Sequence, residues 1–281
     1  MKKFRKLIAL GLIGACLAGT LTGCGKKTDT TDNSQTEANT STDAASEKKT
    51  SLTVGFDAEY PPYGYMDDSG EYVGFDLDLA AEVCSRLGWE LIKTPINWDA
   101  KDIQLNSGAI DCIWNGFTIN GREDDYTWSK PYVDNSQVVI VKSDSDINTL
   151  EDLTDKIVLV QADSAALSAL EGDDLKSVKD SFKELTQVPD YNSALMTLES
   201  GGADAVALDK VVAQYYIKDK ADTFRILDTE LSSEQYGIGF KKGNEALRDQ
   251  IQTVLESMAA DGKFEEIAKK WDQQDVICLN K

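Results

Sequence analysis

Histidine is absent from the 281 residues. Its absence removes serine–histidine–aspartate and cysteine–histidine nucleophile activation, the HExxH zinc site and imidazole acid–base work together. Any chemistry would have to come from carboxylates, lysine, tyrosine or cysteine. Positive charge is also scarce. Lys and Arg total 29 against 49 Asp and Glu, a net charge of −20. Such a chain repels phosphate backbones, so no nucleic-acid partner is expected. Cysteine is thinly scattered. Cys84, Cys112 and Cys278 show no CxxC spacing. They read as buried small hydrophobes with room for one disulfide, and no metal site, cofactor or nucleophile is built on them. What the chain does have is 41% hydrophobic residues, enough for one large or two modest domains.

The N-terminus reads as an address. Lys2, Lys3, Arg5 and Lys6 form a basic head, followed by an apolar stretch from Leu7 to Ala18. That stretch is short for a spanning helix and has signal-peptide flanks. It ends in Leu21-Thr22-Gly23-Cys24, which resembles a bacterial lipobox. Residues 1–23 are therefore expected to be a lipoprotein signal, with Cys24 taking the lipid. Cys16 would leave with the signal. Residues 24–50 contain almost no large apolar side chain, cannot offset their ordering entropy by burial, and read as a disordered tether. The folded part is then expected on the outer face of the cytoplasmic membrane, held through the Cys24 lipid.

From Ser51 onward, strand-like and helix-like stretches alternate, which predicts an α/β fold with a mainly parallel sheet. Leu52 to Phe56 reads as a strand. Asp76 is placed to cap a helix ending at Gly88, and Asp99 to cap one ending before Gly108. An internal repeat organises the rest. Leu105 to Asp111 matches Leu198 to Asp204 at Leu, Ser, Gly and the final Asp. Each copy ends a helix, turns at Ser-Gly and enters an apolar strand, so each half is read as its own α/β unit. Ligands of open α/β sheets bind beyond the carboxyl ends of the strands. Two facing units would direct Asp57, Asn115, Gly116, Gln161, Ser164 and Asp209 into one cleft. Two chain crossings, near Gln137 to Val141 and near Glu234 to Gly239, would form a two-strand hinge. The expected lobes are residues 51–138 with 235–281, and residues 139–234.

The run Thr53-Val54-Gly55-Phe56-Asp57, continuing through Tyr60-Pro61-Pro62-Tyr63 to Gly74-Phe75-Asp76-Leu77-Asp78, resembles the opening of the bacterial extracellular solute-binding proteins, family 3. The likeness continues through Asp111 to Thr118, Arg122, Trp128 to Tyr132, Asp204 to Asp209, Tyr236 to Gly239 and Gly262 to Trp271. These are amino-acid receptors of ABC importers, folded as periplasmic-binding-protein-like type II clamps. The resemblance implies that Arg122 holds a ligand α-carboxylate and Asp209 its α-ammonium. It implies that Thr118 and the Gly116 backbone assist, and that Ser164 meets the carboxylate from the second lobe. Trp98 matches an aromatic wall, Tyr60 and Tyr63 lie in the loop that often supplies another, and Asp57 matches a position that reads the ligand side chain. One departure stands out. Three residues, Ile119-Asn120-Gly121, separate Thr118 from Arg122 where the family usually has four.

Those residue types suit a zwitterion. Arginine offers a planar, permanently charged fork for a carboxylate, and a carboxylate answers the ammonium. Burying such charges is costly unless each is paired, so the site is complete only when the lobes close. The expected function is delivery of a polar or basic amino acid, with glutamine, arginine and cystine all in play, to an ABC permease and ATPase. A monomer without enzymatic activity is expected. The simpler readings are a surface salt-bridge partner for Arg122, beside Glu123, Asp124 and Asp125, and a plain helix cap for Asp209. The rival functions are a cyclohexadienyl-type dehydratase on the same fold and a ligand-sensing surface lipoprotein with no transporter.

Overall fold

The computed structural model describes residues 49–279. The signal, Cys24 and nearly all of the tether lie outside the described residues. Among the described residues no helix is long and apolar enough to cross a membrane.

The chain opens with β1 (Ser51–Phe56), then three short strands, β2 (Glu59–Tyr60), β3 (Gly64–Met66) and β4 (Tyr72–Val73), that form a small antiparallel sheet of their own. Next come α1 (Phe75–Leu87), β5 (Glu90–Pro95), a 3-10 turn at Trp98–Ala100, α2 (Lys101–Ser107), β6 (Cys112–Thr118), β7 (Tyr126–Trp128) and β8 (Val133–Lys142). The second half holds β9 (Ile157–Gln161), α3 (Ala165–Glu171), α4 (Lys176–Lys179), β10 (Glu184–Val188), α5 (Tyr191–Ser200), β11 (Ala205–Asp209), α6 (Lys210–Ile217) and β12 (Phe224–Ile226). The chain returns through β13 (Ser232–Lys241) and ends in α7 (Glu245–Ala260) and α8 (Lys263–Lys270).

The large sheet runs β10-β9-β11-β8-β13-β6-β1-β5, with β12 added to β8 and β7 to β13. Its outer strands are parallel, as the alternation of elements predicts: β5 and β6 flank β1, and β10 and β11 flank β9. Its middle is antiparallel, which corrects the expectation of a mainly parallel sheet. The physical reason is the two chain crossings. Val133 to Gln137 of β8 pair with Ser232 to Tyr236 of β13. The other end of β8 pairs with β11, and the other end of β13 with β6. Two ten-residue strands running opposite ways thus join two α/β lobes.

Burial explains why these strands are apolar throughout. All seven residues of β6 are buried. Cys112 and Trp114 pack into one core with Val83, Phe75 and Tyr132, while Ile113 and Phe117 pack with Leu105 and Tyr126 on the other face. A strand covered on both faces reads as a continuous hydrophobic run. The second lobe repeats the arrangement around Val158, Val160, Ala205 and Ala207. Cys84 and Cys112 are free thiols buried in the first core, as small hydrophobes.

Two helix starts differ from the sequence reading. Gly74, not Asp76, is the N-cap of α1, at φ 148°. A Cβ there would sit 2.1 Å from the Tyr63 carbonyl, so only glycine fits. Asp76 lies in the first turn, fully buried, and its Oδ2 accepts from the Gly116 N–H at 2.6 Å and from Tyr132 at 2.8 Å. Asp99 falls inside the 3-10 turn and caps nothing; α2 begins two residues later.

Candidate functional site

β1 delivers Asp57 just past its carboxyl end. The Asp57 N–H donates to Asn115 Oδ1 at 3.0 Å, which ties the end of β1 to β6. The Asp57 carboxylate accepts from the Glu59 N–H at 2.8 Å and, across the cleft, from Gln161 Nε2 at 2.6 Å. Burial pushes its acid up to about 6 against these two hydrogen bonds, helped by the charges of Asp190 and Glu59.

A cavity lies between the two lobes. Tyr60, Trp98, Gly116, Thr118 and Arg122 line it from the first, and Gln161, Ser164 and Asp209 from the second. Eight predicted residues therefore share one narrow space with room for little more than a water molecule. Ala165 and Tyr191 complete the wall and were not anticipated. The remaining three lie elsewhere. Asp57 is one hydrogen bond behind Gln161. Asn115 is buried behind the wall, holding Asp57. Tyr63 is a correction: it is a core residue, fully covered, with its hydroxyl donated to Gln273 Oε1 at 3.1 Å and its ring edge against Tyr236. It follows a tight Pro61-Pro62 turn that sends it inward while Tyr60 stays at the wall.

The shortened loop before Arg122 resolves into a tight turn. The Arg122 N–H donates to the Ile119 carbonyl at 2.9 Å, and Gly121 sits at φ 79°. A positive φ at the third position is what a type II turn requires of glycine. Trp128 Nε1 fixes the Arg122 carbonyl at 3.0 Å. The guanidinium does not turn back to Glu123, Asp124 or Asp125. It lies over the Phe117 ring, 5.5 Å from the centroid, and Nη2 crosses to the Asp163 carbonyl at 3.1 Å.

Asp209 stands at the start of α6, yet its side chain caps nothing. It is 3% exposed, and its Oδ1 accepts from Tyr236 at 2.5 Å, Gln137 at 2.7 Å and Asn135 at 3.1 Å. Ser164 does cap α3, accepting from the Leu167 N–H at 3.1 Å, which leaves its hydroxyl hydrogen to donate. Gly116 has φ 54°, and a Cβ there would meet the rings of Tyr60, Tyr236 and Tyr63 at 3.0 to 3.2 Å. Its N–H is committed to Asp76, so what it can offer a ligand is its carbonyl.

The sequence reading does not include Lys101, nor its pairing with Asp163. Lys101 is 1% exposed and pairs with the Asp163 carboxylate of the opposite lobe. Burial pulls the Lys101 pKa below the ordinary lysine value, and the Asp163 carboxylate counters that. The signal was available: Lys101 lies four residues before buried Leu105, on the covered face of α2, while Ile103 faces out. Tyr191 carried no signal, since a tyrosine after Pro189-Asp190 reads as any helix-start aromatic. Among the described residues no cluster of side chains fits a metal ion.

Two lobes, a two-strand crossing and a polar cavity between them define a hinged solute-binding protein. Residues 52–274 match the bacterial extracellular solute-binding proteins, family 3, and the chain belongs to that family. The L-cystine-binding protein TcyJ of Escherichia coli (strain K12) is 28% identical over 232 residues, 80% of this chain and 84% of that protein. The ABC transporter glutamine-binding protein GlnH of Bacillus subtilis (strain 168) is 27% identical over 278 residues, 96% of this chain and 98% of that protein. An ABC uptake transporter substrate-binding protein of Streptococcus pneumoniae, solved with bound histidine, superposes with TM-score 0.77 at 34% identity, over 81% of this chain and 94% of that one. The chain is a solute-binding protein, not an enzyme.

Proposed function

We propose that this protein is a receptor that captures one polar or basic L-amino acid by clamp closure and delivers it to an ABC permease and ATPase. The observation that carries the reading is the placement of Arg122 and Asp209 in the walls of one cavity, from opposite lobes. Arginine is the planar partner for a carboxylate, and buried Asp209 the partner for an ammonium. A ligand that satisfies both stabilises only the closed state and so drives closure. Asp57 and Gln161 lie at the side-chain end and suit an amide or a cation; Trp98 suits a guanidinium or an aliphatic chain. The binding of cystine and glutamine named for two relatives, and of histidine seen in a third, supports the class and leaves glutamine, arginine and cystine as the ligands to try first.

The lobes in this reading are residues 51–138 with 235–281, and 139–234, rocking about β8 and β13. The anchor is part of the same proposal. Lipid on Cys24 would hold the receptor at the outer face of the cytoplasmic membrane, where a solute receptor must work. Replacing Cys24 by Ser should release the protein into the medium.

Calorimetric titration with a panel of L-amino acids tests the reading. One member should bind at about micromolar Kd, roughly 8 kcal/mol. Arg122→Ala should weaken it by about a hundredfold, the scale of a lost charge-assisted pair of hydrogen bonds. A panel with no binder, or an Arg122→Ala protein that binds like wild type, overturns it.

A further inference from the structure

The hinge holds a second buried carboxyl that nothing above has used. Glu234 lies on β13 where that strand crosses between the lobes, and is 5% exposed. Asn135 and Gln137, on the partner strand β8, each donate to both carboxyls at once. Asn135 Nδ2 is 2.6 Å from Glu234 Oε1 and 3.1 Å from Asp209 Oδ1; Gln137 Nε2 is 2.7 Å from each. Two amides thus bridge two acids where β8 and β13 pair beside β11.

The cluster is short of donors. Besides the carboxylate oxygens it contains Asn135 Oδ1 and Gln137 Oε1, both buried and without a hydrogen-bond partner among the described residues. It is also short of positive charge. The other titratable groups around Glu234 are Asp209 on β11, Tyr236 on its own strand, Tyr60 and Tyr63 from the first lobe, and Tyr191 on α5. No cation is among the groups that act most strongly on it. Lys210, next to Asp209 in the chain, turns outward to pair with Glu230 at 2.7 Å.

We propose that Glu234 is the proton carrier of the ammonium subsite: it holds a proton beside Asp209 when the cavity is empty, and gives that proton to solvent when a ligand ammonium arrives. The inference rests on the amino-acid reading above. Two neighbouring buried carboxylates without a cation cannot both ionise cheaply. Burial, then the Asp209 charge, raise the acid of Glu234 above the ordinary carboxylate range. An incoming ammonium reverses the balance, so the O–H bond of Glu234 breaks, its electrons stay on the carboxylate, and the proton leaves. Glu234 keeps 5% of its surface open, and Asn135, which touches both acids, lines a hollow with Ser233 and Gln273, so solvent comes within one side chain of the acid and takes the proton. Glu234 acts through Asp209 and is a positioning residue.

Calorimetry of the purified protein with the best binder among L-glutamine, L-arginine and L-cystine, in buffers of different ionisation enthalpy, reads the proton directly. Near neutral pH it should release up to about one proton per ligand, and affinity should rise with pH by up to about tenfold per unit over the window in which Glu234 is protonated free and ionised bound. Glu234→Gln should bind with that release abolished and the pH profile flattened. In the ligand-free protein, the protonated-carboxyl infrared absorption at neutral pH should lose one component in Glu234→Gln and keep that of Asp76, which does not depend on any ligand. Binding with no buffer dependence in wild type, or a band unchanged by Glu234→Gln, overturns the inference and leaves the receptor reading standing. No binding by any amino acid overturns both.

Discussion

The ammonium of Lys101 meets the carboxylate of Asp163 across the cleft, and the Asp163 carbonyl takes hydrogen bonds from Trp98 at 3.2 Å and Arg122 at 3.1 Å. One residue of the second lobe is thereby held by three of the first. Asp163 sits at φ 57°, in the bend that leads from β9 into α3. These contacts tie the two lobes together at the edge of the cavity, and in a clamp they would act as a latch on the closed form.

Loosening the latch should favour the open form. Lys101→Met keeps the packed stem and removes the buried charge, so the fold should tolerate it. The ligand-free protein should show a larger radius of gyration in solution scattering. Ligand affinity should fall by about three- to tenfold, because binding must then supply the closing energy itself. An unchanged radius and affinity would mean that the latch does not bias the clamp.

Gly116→Ala should damage both stability and binding. The added Cβ meets three tyrosine rings at 3.0 to 3.2 Å in a left-handed backbone that alanine resists. A loss of about 1–3 kcal/mol in chemical denaturation is expected. Gly121→Ala has open space around it and carries only the backbone cost, about 1 kcal/mol, with a weaker grip of Arg122 on a carboxylate.

Asp76 sets a pH dependence whose sign can be worked out. Burial raises its acid from 3.8 to about 7, against the hydrogen bonds from Gly116 and Tyr132. The folded state therefore keeps a proton that the unfolded state gives up near pH 4. Its contribution to stability is full below the unfolded value and is lost as pH rises toward 7, by at most about 4 kcal/mol. Asp57, raised to about 6, adds a smaller slope of the same sign. Asp76→Asn keeps an acceptor for Gly116 and Tyr132 and should flatten the melting temperature between about pH 4 and 7. A slope as steep as that of wild type would place the titration elsewhere.

Asp57→Asn should shift ligand preference. It removes a charge from the side-chain end while Gln161 keeps an acceptor. If the ligand is cationic, affinity should drop by more than tenfold, and if it carries an amide, by only a few-fold. Competition titration of the variant with L-arginine against L-glutamine checks this.

Much of the scaffold is legible along the chain. The repeated Leu-Ser-Gly-Asp pattern is one reason. Gly108 and Gly201 end α2 and α5 in the same left-handed cap, at φ 80° and 81°. The aspartates that close each copy then do equal work. Asp111 accepts from the Thr53 N–H at 2.7 Å, and Asp204 from the Ile157 N–H at 2.8 Å, each stitching the start of its lobe's first strand. Such features depend on residues close in sequence or on a period, so they can be read without a structure. The strand ends, and with them most of the cavity wall, follow from the same local rules.

Local pattern alone settled the α/β alternation, the paired halves and the residues at the strand ends. It could not say which way a side chain turns once two distant segments meet. Asp209 looks like a cap until Gln137 and Tyr236 arrive from the crossing strands; Tyr63 looks like a wall until Gln273 claims its hydroxyl. Lys101 with Asp163, Gln161 with Asp57 and Glu234 with Asn135 are joined over 62, 104 and 99 residues. These pairings exist only because folding sets the two lobes face to face and the two crossing strands side by side, and desolvates their charges together; no stretch of chain carries that information by itself.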